Sequence, residues 1–245
     1  MPSKAAPSDE LQRASDDVRA LATVDYAGPL RKCLGRDQLN ELVAEARKSV
    51  WPHLNRESLR LASPKEFAKS WSNLGIDVRP AKMTSANGMA LLGFYVKKTK
   101  ILSGRPLICV NTAHHPAAVG AAFVHEMGHH LTSNMFGGHD EAASFLLYTG
   151  YAQHLSDPAE LIPDILVSLG IYPQPMARRL FGDNARKKSE SMTEAAQREG
   201  LLKYFSTQYA LTFDRKLPYD KQLQYMAGVL HYTRLRAALR QEFDI

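Results

Sequence analysis

This chain is poor in cysteine. Its 245 residues include two, Cys33 and Cys109, so a disulfide scaffold is excluded and at most one bridge is possible. It also lacks any apolar run of about 18 residues, which argues against a membrane-spanning helix. The first residues, MPSKAAPSDELQRASDD, have no apolar core of the kind a signal peptide carries. Together these absences predict a reduced, cytoplasmic protein with no membrane partner. No internal repeat or low-complexity tract interrupts it, and 44% hydrophobic residues suffice for a sizeable core.

Acidic residues are missing from one long stretch. Between Asp77 and Glu126 there is none, while Arg79, Lys82, Lys97, Lys98, Lys100 and Arg105 all fall there. The net charge of +6 is therefore concentrated in that stretch. Positive charge alone is weak support for nucleic-acid binding. The segment 158–181 reads as helix, glycine turn and helix, but Arg178 and Arg179 are the clear basic side chains it would offer to DNA. A helical hairpin packed on its neighbours is the simpler expectation.

The stretch ends in Val124-His125-Glu126-Met127-Gly128-His129-His130, which contains His-Glu-x-x-His. Residues four apart share a helix face, so His125 and His129 can present two imidazoles to one Zn2+. Glu126, one step on, can then serve a water at that ion as general base. Pro116 opens the expected helix, and Gly128 would tolerate a close backbone approach. A third histidine six residues beyond His129 is excluded, since that residue is Met135. A carboxylate early in the next helix is the better third ligand; Glu141 is favoured, with Asp140 and His139 as alternatives. Among His115, His130, Tyr148 and Tyr151, all near in sequence, nothing singles out an oxyanion donor.

Around the motif, the spacing predicts helices over 9–24 and 36–50, the second burying Leu39, Leu42, Val43 and Ala46. Ser63-Pro64-Lys65-Glu66 and Asp157-Pro158-Ala159-Glu160 both read as helix starts with a glutamate three residues past the cap. Leu161, Ile165 and Leu169 come after the second start. Residues 90–96 and 106–110 read as strands joined by a basic loop, forming a small antiparallel sheet. The strand before the motif helix could pair with an extended substrate, the loop then facing acidic side chains. A final helix from Asp220 would bury Leu223, Met226 and Leu230. The fold class is thus α+β and mostly helical. A flexible N-terminal tail (1–25), a metal-binding domain (26–155) and a helical C-terminal region (156–245) are the expected divisions.

From about Gly93 to Leu147 the sequence resembles the ImmA/IrrE family of gluzincin-type metallopeptidases. The resemblance rests on Ile108-Cys109-Val110-Asn111, on His125 to His129, and on Glu141-Ala142-Ala143-Ser144-Phe145. Two features depart from the family: a compact connection between His129 and Glu141, and Leu146-Leu147-Tyr148-Thr149 in place of the usual Leu-Leu-Met-Pro. The resemblance implies a zincin-like core and a zinc endopeptidase cleaving a protein or peptide partner, such as a transcriptional repressor in bacterial stress or mobile-element control. The competing class is a non-catalytic, metal-containing regulator acting on DNA or protein through its helical end. The sequence leaves the oligomeric state undetermined.

Overall fold

The structure, a computed structural model, describes residues 9–50, 75–81, 92–97, 104–111, 116–135, 150–170 and 219–245. Its elements are helices α1 (Asp9–Thr23), α2 (Ala27–Cys33) and α3 (Arg36–Ser49), and strands β1 (Asp77–Ala81), β2 (Gly93–Val96) and β3 (Leu107–Asn111). Helices α4 (Pro116–Met135), α5 (Tyr151–His154), α6 (Pro158–Gly170) and α7 (Tyr219–Phe243) complete the set. The fold is mostly helical with one small sheet, as the hydrophobic spacing predicts. No described helix is long and apolar enough to cross a membrane.

The chain divides into two compact units. One comprises residues 1–29, 150–156 and 172–245, the other residues 30–149 and 157–171. These units are interleaved in sequence. In the first unit, α1 falls where the spacing predicts a helix over 9–24. It buries Ala14, Val18, Leu21 and Ala22 and packs along α7. An apolar stripe of this kind needs a partner, and α7 provides one through Leu223, Ala227, Leu230, Leu235 and Leu239. Arg234 of α7 donates to the carbonyls of Leu21 and, at 3.0 Å, Val24, satisfying acceptors at the end of α1. Asp17, buried, accepts from the backbone N–H groups of Tyr151 and Ala152 at 2.9 and 2.8 Å and so starts α5.

In the second unit, the three strands order as β1-β3-β2. The sheet is mixed, not purely antiparallel: β1 pairs with β3 in parallel, β2 with β3 antiparallel. Strands β2 and β3 fall where alternation and strand formers place them. Strand β1 has no such signal, because its Asp-Val-Arg-Pro-Ala carries a proline and no clean alternation. Because β3 lies in the centre, both its edges are taken. The expectation that this strand pairs with a substrate is therefore corrected. All five residues of β3 are buried, which explains its uninterrupted apolar Leu-Ile-Cys-Val run.

Helix α4 packs on β2 and β3 and, more extensively, against α6. From Ala121 to His129 every residue is buried. Helix α3 adds Leu39, Leu42 and Ala46 to the core; Val43 is only half-buried. Where α4 meets α6, a Cβ placed on Gly128 would lie 2.6 Å from Pro163 Cα and 2.8 Å from Pro163 Cβ. The missing side chain thus permits the two helices to approach this closely. That close approach brings polar side chains of α6 within reach of the histidines of α4.

Candidate metal centre

Two imidazoles and one carboxylate meet between α4 and α6. His125 Nε2 lies 3.0 Å from Glu160 Oε2 and 3.1 Å from His129 Nε2. His129 Nε2 is 3.5 Å from the same Glu160 oxygen. All three side chains are buried, His125 at 7%, His129 at 1% and Glu160 at 4% exposure, and together they form a group able to hold a metal ion. Behind His125, Asp164 Oδ1 lies 2.8 Å from Nδ1. With Nδ1–H donating to Asp164, Nε2 is the nitrogen turned to the centre, the usual arrangement for a ligating histidine.

The residues fit zinc by both distance and chemistry. Donors about 2.0–2.2 Å from a tetrahedral zinc stand roughly 3.3–3.6 Å from one another. The observed triangle is within a few tenths of an ångström of that spacing. Two histidines and one carboxylate are also a donor set that leaves a fourth position for water or substrate.

Among the described residues, the third member of this group is a carboxylate from α6. The spacing of Asp157-Pro158-Ala159-Glu160 places Glu160 correctly at a helix start but suggests a capping role. In the structure Asp157 does that work, its Oδ1 accepting from Ala159 N–H at 2.9 Å and its carbonyl from Glu160 and Leu161 N–H. The Glu160 side chain is left to face the histidines. One signal in the sequence pointed here: Glu160 and Asp164 are acids four apart on an otherwise apolar helix, and buried acids require partners. Glu141, Asp140 and His139 lie outside the described residues.

Charge in the cluster is strongly coupled. Burial disfavours the charged form of His125, but Asp164 and Glu160 overcome that and hold its pKa well above the ordinary 6.5. His129 is pushed down by burial, despite Glu160. Burial would raise Glu160, yet its hydrogen bonds with His125 and His129 hold it well below the carboxylate range. The signs predict a pH dependence for the metal-free protein. The raised His125 stabilises the fold fully below its ordinary 6.5, and that contribution is lost as pH rises through its folded value. The depressed Glu160 stabilises it above the ordinary 4.5, and this is lost as pH falls. From these two groups, chelator-treated protein should therefore melt highest between these two values, with Tm declining as pH rises above 6.5. A His125→Gln variant should show a smaller decline; equal slopes in thermal scans would contradict the pairing.

Glu126 stands apart from the three converging donors. It is buried, and its carboxylate lies against β2, where a Cβ on Gly93 would come within 3.0 Å of Oε1 and 3.1 Å of Cγ. Burial pushes the nearby Cys109 thiol up to about 11, with Arg79 opposing and Glu126 adding to the shift. Neither Cys109 nor Cys33, also raised to about 11, is bridged.

The suggested oxyanion donors fare differently. His130 Nδ1 is 3.2 Å from the Tyr95 hydroxyl, its Nε2 is 3.2 Å from Asn134 Nδ2, and burial lowers its pKa. Tyr151 belongs to the first unit, where its ring stacks on His231 and meets Tyr232 edge-on. His115 and Tyr148 are outside the described residues, as are Arg178 and Arg179. The first helix of segment 158–181 is α6 itself, packed on α4 beside the His125, His129 and Glu160 cluster. Comparison with protein-family models, with curated proteins and with solved structures finds no match for this chain.

Proposed function

We propose that this protein is a zinc-dependent metallopeptidase with a zincin-like core, of the ImmA/IrrE kind its sequence resembles. The observation that carries the reading is the buried triangle of His125, His129 and Glu160, beside a carboxylate, Glu126, that is not part of it. In this reading Glu160 replaces Glu141 as the third ligand. Zinc, when bound, polarises a carbonyl and brings the pKa of a bound water toward about 7.

The protein's own groups supply the rest. His125, His129 and Glu160 hold the ion, and Asp164 keeps His125 in the ligating tautomer. Glu126, seated in the space left by Gly93, accepts the proton of the attacking water and delivers it to the departing amine. A peptide can then be held along β2, an edge of the sheet among the described residues, within reach of Glu126. A protein partner such as a transcriptional repressor is the substrate class the resemblance implies.

Glu126→Gln tests the reading. It should retain about one zinc per chain while cleavage falls roughly 10²–10⁴-fold, the usual worth of a general base. The substrate is found by comparing cellular proteins, by mass spectrometry, in the presence of wild-type and Gln forms. If both forms bind zinc and produce identical cellular effects, the protein is a non-catalytic regulator instead.

A further inference from the structure

Gly93 and Tyr95 are two apart on β2, and therefore point to the same face. That face meets α4. Two strand residues advance about 6.6 Å and four helical residues about 6 Å, so the strand and the motif helix keep step. Gly93 stands at Glu126. Tyr95 stands at His129 and His130: its ring is nearly parallel to His129, 12° between planes and 6.4 Å between centroids. It meets His130 edge-on at 5.8 Å, and its hydroxyl is bonded to His130 Nδ1. Tyr95 is only 4% exposed.

We propose that Tyr95 is a positioning residue for the metal centre, its ring fixing the orientation of His129. The proposal rests on the reading of His125, His129 and Glu160 as a metal site, and adds a residue that coordinates nothing. The physical need is specific. Rotation of an imidazole about its last side-chain bond is soft, so a helix backbone alone does not fix where Nε2 points. For His125, Asp164 supplies a constraint. For His129, the flat face of Tyr95 does so, while the bond from its hydroxyl to His130 anchors Tyr95 to the same helix. His130 is braced in turn by Asn134, one turn further along.

The test uses the full chain, with zinc affinity measured by chelator competition and geometry read from the visible spectrum of the cobalt-substituted protein. Tyr95→Leu removes the flat face and should weaken zinc about tenfold or more, within the range that supporting residues of ligands are worth, and alter the cobalt spectrum. Tyr95→Phe keeps the face and should stay within about threefold of wild type with an unchanged spectrum. Should the Leu variant not fold, Tyr95→Met provides the same loss of a flat face with a more adaptable side chain. The proposal is overturned if the folded Leu or Met variant binds zinc and gives the cobalt spectrum as wild type does, or if Phe is as damaging as either. Wild-type protein that binds no zinc would overturn the metal centre itself and this proposal with it.

Discussion

Glu160→Ala is expected to abolish zinc binding at micromolar metal, while Glu141→Ala leaves affinity within about threefold of wild type. Glu160 Oε2 lies 3.0 and 3.5 Å from the two histidine nitrogens, so its removal takes away one corner of the donor triangle. The loss should exceed the roughly 10–100-fold that comes from removing a residue merely supporting a ligand. The variant also leaves His125 and His129 buried without the carboxylate that balances them. That should cost the metal-free protein about 1–3 kcal/mol. Chelator competition and thermal melting of the two variants distinguish the outcomes. If Glu141→Ala loses the metal and Glu160→Ala does not, the third ligand is the one expected from the helix after the motif.

Gly128→Ala should be the most damaging single-methyl change near the centre. In an ordinary helix interior this substitution is favourable by about 1 kcal/mol, because alanine is the better helix former. Here the added Cβ would lie 2.6 Å from Pro163 Cα, a backbone atom that cannot rotate away. Helix α6 must then shift outward, at a cost of about 1–3 kcal/mol for overpacking. Both Glu160 and Asp164 travel with it. The expected result is at least about a tenfold loss of zinc affinity, the scale on which supporting groups act, together with a Tm lower by a few degrees. An Ala variant that melts higher than wild type and keeps its zinc would show that α4 and α6 are not held this closely.

These two substitutions separate the legible part of the site from the hidden part. His125, Glu126 and His129 are recognisable because helical periodicity is a local property: a spacing of four puts two imidazoles on one face regardless of what surrounds them. The same logic reveals Leu39, Leu42 and Ala46 on α3 and the apolar run of β3. Strand β1 escapes because its pairing with β3 depends on a partner some 30 residues away, and its proline obscures the alternation. The N-terminal helix is visible as spacing, yet its role is not, since the surface that buries it belongs to α7, about 200 residues downstream.

Sequence alone thus determined the helix that carries the two histidines, the place of Glu126 beside them and a mostly helical α+β chain, all from patterns within a turn or a strand. Among the described residues, tertiary structure brought an acid of α6, Glu160, to both histidines. Glu160 and Glu141 are both glutamates near the start of an expected helix, and no local rule distinguishes them. That Glu160 reaches the histidines depends on how closely α6 approaches α4, which the missing side chain of Gly128 against Pro163 permits. Packing between elements distant in sequence leaves no periodic trace in either one.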